Sequence, residues 1–214
     1  PDRLVAVQCV RSEHPQLWDR YAERRREVAD ICQGTEGEFS KPKTMQCEGL
    51  RRRCVHATVG NPANQAYLLH GTNPTSAVAI LERAFAVNLA GKSVGTMFGP
   101  GVYLAESSTK ADEYACDDVG GEYDGLYAML VCRVALGRPL VVEAHGDYSY
   151  RVTSGEYQHV VGDREKAVGT FREFVLFHEA SIYPEYAVFY RREKGGKVLP
   201  PTQRAEAPVP EEMH

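Results

Sequence analysis

The run YAMLVCRVAL, residues 127 to 136, does most to constrain how this chain can fold. It reads as a long apolar strand closed by Gly137 and Pro139 and followed by LVVEA, and such a strand needs partners in a sheet. Candidates are QAYLLHGT (65 to 72), with a buried strand of Ala66 to Leu69 running into His70 and Gly71, and the short strand GVYLA (101 to 105). FREFVLF (171 to 177) alternates, with Phe174 and Leu176 on one face and Glu173 and Val175 on the other, and EYAVFYRR (185 to 192) is the last strand. The helices are few. HPQLWDRYAERRREVADIC (14 to 32) has Pro15 in its first turn and Leu17, Trp18, Tyr21, Val28 and Ile31 largely on one face. NPTSAVAILERAF offers Asn73 as a cap, Pro74 at the first position and Ala77, Ile80, Leu81 and Ala84 as the inner face. SSTKADEYA (107 to 115) is a short helix with a serine cap. Helices that do not alternate regularly with strands point to an α+β fold rather than a doubly wound sheet.

Between Gln33 and Pro62 the irregular order of Gly, Pro, Thr and basic residues predicts loops around one short strand near Cys54 to Val59. After Gly195 little remains to bury, so residues 1 to 193 are expected to form one domain and 194 to 214 a disordered tail. A chain that begins at Pro1 rather than Met is expected to be a domain cut from something longer. A formal charge of −4 leaves no basic excess for phosphates, so no direct nucleic-acid binding is expected; Arg51 to Arg53 read as a solvated basic face. The six cysteines form no CxxC pair and have no His at zinc-ligand spacing, which predicts no metal and free thiols in a reducing, intracellular compartment, nuclear or cytoplasmic. No apolar run is long enough to span a bilayer and no leader pattern opens the chain, so no membrane partner is expected.

The segment GTMFGPGVYLAESSTKADEYA (95 to 115) is too rich in glycine for an ordinary strand and too apolar for a free loop. Its GxxxGxG is neither the dinucleotide GxGxxG nor the Walker GxxxxGK[ST]. Gly99 and Gly101 around Pro100 suggest a bend close to a ligand, leading into a strand that presents Tyr103, with Tyr114 on the next helix. Taken singly, each residue has a plainer explanation: a turn histidine, core tyrosines, a solvated glutamate. Glu179 and Glu185 read as loop or edge residues.

In order, LLHGT, TMFGPGVYLAESSTKADEY, MLVCRVALGRP and FREFVLFHEASIYPEYAVFY resemble the catalytic domain of the poly(ADP-ribose) polymerase family, the diphtheria-toxin-like ADP-ribosyltransferases. VQCVRSEHPQLWDRYAERRREV is similar to the family's opening segment, so the resemblance covers about residues 4 to 192. It implies two packed, mainly antiparallel sheets with flanking helices around an NAD cleft, and NAD as substrate for transfer of ADP-ribose to protein acceptors. By that likeness His70 would bond the adenosine ribose, Gly71 would hold the nicotinamide carboxamide, and Thr72 lies beside them. Tyr103 and Tyr114 would sandwich the nicotinamide ring, Lys110 would lie near the reacting ribose, and Glu173 would be the catalytic glutamate, completing a His-Tyr-Glu set.

The chain also departs from the family. Ala111 stands where many members carry serine, Thr96 where some use tyrosine, Leu104 for a usual phenylalanine and Ala84 for a usual glycine. With few residues before His70, the helical domain of DNA-dependent members is not expected within this stretch, nor, without its Cys/His pattern, is the zinc insert of tankyrases. Because of these departures, a silent NAD- or ADP-ribose-binding module is the alternative to an active transferase. Mono- or poly-transfer stays undecided, since it depends on an acceptor loop placed at 146 to 170. Oligomeric state is not legible.

Overall fold

A computed structural model of the chain describes residues 1–34, 39, 41–54, 61–87, 97–163 and 171–199. Thr96, the remainder of the strand expected near Cys54 to Val59, the end of the expected acceptor loop and residues 200–214 lie outside the described residues.

Among the described residues nine strands form one hydrogen-bonded sheet. They are β1 (Arg3–Arg11), β2 (Gln65–Thr72), β3 (Val102–Ala105), β4 (Tyr127–Ala135), β5 (Pro139–Val142), β6 (His159–Gly162), β7 (Glu173–Leu176), β8 (Ile182–Lys194) and β9 (Lys197–Val198). The order is β1-β8-β4-β2-β3-β7-β6-β5, with β9 on β8; β5 and β6 are parallel and every other pairing is antiparallel. The fold is α+β, as the sequence indicates. The two expected sheets are continuous, but only just: β2 and β3 share a single ladder pair, Leu69 with Ala105.

Period-two alternation sets what each face of the central strands meets. On β2, Ala66 and Leu68 join Leu130, Val134, Phe174 and Leu176 in the main core. Ile80 and Leu81 of α3 (Pro74–Arg83) cover that core, and Asn73 caps the helix by accepting from the Ser76 N–H at 2.6 Å. Ala84 ends α3 at φ 70°, a left-handed conformation that glycine adopts without strain and alanine does not. Against another part of the sheet, α1 (Pro15–Ile31) buries Leu17, Tyr21 and Val28 beside Tyr183. Trp18 and Ile31, read as inner-face residues, stay 37% and 54% exposed, because the helix meets the sheet along a stripe narrower than its apolar face.

Several expectations are corrected. Cys54 closes the helix α2 (Glu48–Cys54) instead of opening a strand. Lys194 ends β8, and Gly195–Gly196 turn the chain into β9, so the first residues of the expected tail form a hairpin. β6 lies inside the stretch read as an acceptor loop. Glu185 is neither loop nor edge: it is 2% exposed on β8, between β1 and β4.

Candidate active site

The site is built where β2 and β3 part. On the face of β2 opposite the main core, Leu69 and Gly71 meet the short helix α4 (Ser108–Tyr114). Ser107 precedes α4 at the cap position but makes no side-chain cap bond. α4 can lie this close because Gly71 has no side chain: a Cβ there would stand 1.8 Å from the Ala111 carbonyl oxygen. Arg192 at the end of β8 ties down the other end of the helix, donating to the Asp112 carboxylate at 2.9 Å and to the Asp112 and Ala115 carbonyls at 2.6 and 3.2 Å.

His70 and Tyr103 face each other across the gap between β2 and β3. His70 Nδ1 lies 3.0 Å from the Tyr103 carbonyl oxygen. A carbonyl only accepts, so Nδ1 carries the proton and Nε2 is left as an acceptor. Burial lowers the His70 pKa, which keeps the ring neutral at physiological pH. The Tyr103 hydroxyl donates to the Gly99 carbonyl and accepts from the Phe98 N–H, both at 2.9 Å, locking the ring against the glycine bend; burial pushes its pKa up to about 12.

Glu173 starts β7 opposite Ala105 of β3 and is 2% exposed. It accepts a hydrogen bond from the Tyr114 hydroxyl, and Lys110 Nζ stands 3.5 Å from the same oxygen, Oε1. Burial and the bond to Glu173 raise the Tyr114 pKa to about 12, so the phenol stays a donor. Burial works against the Lys110 ammonium, but its 2.8 Å bond to Glu113 and the charge of Glu173 outweigh that, and its pKa is raised. A neighbouring clasp holds the strand ends: Arg172 donates to both carboxylate oxygens of the nearly buried Glu106, at 2.9 and 2.7 Å, one residue outside the Ala105–Glu173 pair.

Six of the residues around this point, Leu69, Gly71, Tyr103, Ala111, Tyr114 and Glu173, line a cavity of about 10 Å³, which is room for about one water. The structure therefore brings Gly71, Tyr103, Tyr114 and Glu173 together, with Lys110 on the carboxylate and His70 bonded to the Tyr103 backbone. Thr72 sits at the end of β2 opposite Ala128 and does not line the cavity. Among the described residues no three His, Cys, Asp or Glu side chains group as a metal site, and no helix is long and apolar enough to cross a membrane.

Residues 3–192 match the family described as the poly(ADP-ribose) polymerase catalytic domain. The chain belongs to this family. A poly [ADP-ribose] polymerase tankyrase of Caenorhabditis elegans is 35% identical across 61% of this chain and 7% of its own length. Poly [ADP-ribose] polymerase 2 of the same organism is 35% identical across 40% of this chain and 15% of its own. The chain thus spans a small part of each relative. As a poly(ADP-ribose) polymerase catalytic domain it has its sheet joint and the α4 contact at the same place, beside Gly71. What motif reading missed is the support around the site, Arg172 on Glu106 and Arg192 on α4. Its only sequence signal was charge placed next to buried strand residues.

Proposed function

We propose that this domain is an NAD-dependent ADP-ribosyltransferase of the His-Tyr-Glu type, using His70, Tyr103 and Glu173, that releases nicotinamide and transfers ADP-ribose to protein acceptors. The observation that carries the reading is Glu173: a carboxylate 2% exposed, held between the Tyr114 hydroxyl and the Lys110 ammonium at a cleft walled by Gly71 and two tyrosines. Breaking the nicotinamide–ribose bond sends its electron pair to the nicotinamide and leaves positive charge on the ribose, as in glycoside hydrolysis. Glu173, bonded to the ribose hydroxyls, would oppose that charge, an electrostatic effect worth about 3 kcal/mol or more. The acceptor then attacks the opposite face with inversion, polarised by the same carboxylate. Tyr103 and Tyr114 would stack on the flat ring, adding about 1 kcal/mol beyond area burial. The Gly71 backbone would bond the carboxamide, and His70 Nε2 would accept from the adenosine ribose, with Thr72 alongside. A planar ring needs more than the present 10 Å³, so binding is expected to displace the Tyr114 hydroxyl from Glu173.

Both relatives carry "poly" in their names, and Glu173 is compatible with chain elongation. The second reading, a silent NAD-binding module, is favoured by Ala111 in the cavity wall, where the lost serine hydroxyl would cost about 1 kcal/mol of NAD binding. Incubation with labelled NAD, followed by gel analysis beside Glu173→Gln, separates the two. Label on protein that disappears in the variant supports the transferase, and a smear rather than a band supports elongation. Label retained by the variant refutes the role of Glu173. No label, with NAD binding still measurable by calorimetry, supports the silent module.

A further inference from the structure

Away from this cleft, a cavity of about 370 Å³ opens where the end of β1 and the start of α1 meet β4 and β8, with Arg11, Trp18, Arg133, Tyr183 and Glu185 in its walls. That volume falls within the range of about 300–1,000 Å³ usual for small-molecule sites. Tyr67, whose hydroxyl bonds Glu185 in the cavity wall, shares the face of β2 that Gly71 presents to the candidate cleft, roughly 13 Å along the strand.

The chemistry of its wall is unusual for a surface hollow. Glu185 is 2% exposed, and its Oε2 accepts from the Tyr67 hydroxyl at 2.6 Å and from Arg133 Nε at 2.9 Å. No hydrogen bond from a described residue reaches Oε1. Arg11 Nε and Arg53 Nη1 each stand 3.8 Å from it, beyond bonding distance. Burial pushes the Glu185 pKa up, but the bonds from Arg133 and Tyr67 bring it below the usual carboxylate range, so Oε1 remains an acceptor. Arg133 is already engaged, donating also to the Arg53 carbonyl and the Tyr67 hydroxyl. Arg11 and Arg53 are half exposed, and Arg11 also bonds Glu13 at the rim. The lining pairs two arginines with two glutamates, and Arg53, outside the wall but 3.8 Å from Oε1, adds one positive charge beside it. Beside them Trp18 is 37% exposed, its ring edge-on to Tyr183 at 5.2 Å and 5.6 Å from the Arg133 guanidinium that lies over it.

A ligand that satisfies all three features carries hydroxyl donors, an anion and a flat ring. We propose that this cavity binds a nucleoside phosphate, with ribose hydroxyls donating to Glu185 Oε1, the phosphate on Arg11 and Arg53, and the base against Trp18. A carboxylate on a ribose hydroxyl, guanidinium on phosphate and a base stacked on an aromatic side chain are each established recognition chemistry. An inorganic anion would use the arginines and leave Oε1 and the indole unmet. The site does not depend on the function proposed above.

Trp18 is the chain's single tryptophan, so its indole N–H resonance reports on this wall alone. The whole chain is titrated with AMP, ribose 5-phosphate and inorganic phosphate. AMP is expected to shift the resonance saturably, ribose 5-phosphate more weakly and phosphate least. The half-exposed pair Arg11→Ser/Arg53→Ser should weaken AMP at least about tenfold with an unchanged melting temperature. Glu173→Gln, which alters only the other cleft, should leave the AMP response intact. No saturable shift into the millimolar range, equal affinity in the arginine double variant, equal response to inorganic phosphate, or loss of response in Glu173→Gln would each overturn the proposal.

Discussion

Replacing Gly71 with alanine tests whether the site depends on how closely α4 approaches β2. The added Cβ would sit 1.8 Å from the Ala111 carbonyl oxygen, 2.7 Å from its carbon and 3.1 Å from the Ala115 nitrogen. Contacts shorter than 3.0 Å are essentially never seen, so the helix must retreat by about 1.2 Å. The obstacle is backbone, and no side-chain rotation relieves it. Gly71 has no left-handed φ, so alanine adds no backbone strain and the clash is the whole effect. Lys110 and Tyr114 ride on α4 and would leave Glu173 by a similar distance. Misplacement of about 1 Å can cost about 100-fold in rate, and overpacking costs about 1–3 kcal/mol of stability. We expect nicotinamide release by Gly71→Ala to fall about 100-fold in kcat, with a lowered melting temperature, although the Gly71 backbone groups are chemically unchanged. A variant within about twofold of the parent kcat, with the parent's melting curve, would refute this account of the helix.

Substitutions at three more positions have expected outcomes. Ala84→Gly removes an alanine from φ 70° and should stabilise the chain by about 1 kcal/mol in denaturant unfolding, because glycine occupies that region freely. His159 is fully buried, donates Nδ1–H to the Leu136 carbonyl at 2.7 Å and has its pKa lowered by burial to about 4. Its folded pKa lies below the unfolded one, so this stability is full above pH 6.5 and is lost as pH falls toward 4, about 2 kcal/mol of it between pH 7 and 5. His159→Gln should flatten that part of the pH–stability curve, and an unchanged slope would exclude His159 as its source. Arg172→Met leaves Glu106 buried without its cation, which should cost about 3 kcal/mol, and restoration by Arg172→Lys would point to charge rather than shape.

The sequence was most readable where burial follows chain order. β2, β4 and α3 were legible because apolar residues recur at strand or helix spacing and Asn73, Pro74 and Gly137 mark their ends. β1 was not read as a strand. Paired only with β8, it keeps most residues exposed and shows little alternation. The pair Arg133 and Glu185 was missed for a different reason. Its partners are 52 positions apart and Tyr67 is 118 from Glu185, so no local pattern says that these charges are satisfied in the interior. In the candidate site, ordered motifs pointed to His70, Tyr103 and Glu173. The Lys110–Glu173 approach and the Arg192 clamp on α4 follow only from the packing.

The weakest joint of the sheet is also what makes the site possible. One ladder pair links β2 to β3, so beyond Leu69 and Ala105 the two strands diverge while their backbone groups still need partners. The His70 ring supplies one of them, its Nδ1–H reaching the Tyr103 carbonyl across the gap. Gly71, the next residue on β2, admits α4 against the opened face, and the helix carries Tyr114 and Lys110 to Glu173 of β7, which pairs with Ala105 of β3. A fuller β2–β3 ladder would close the gap, and a side chain at position 71 would push the helix away. The same interruption therefore explains why a histidine, a glycine and a small-residue helix stand next to one another here, before any ligand is considered.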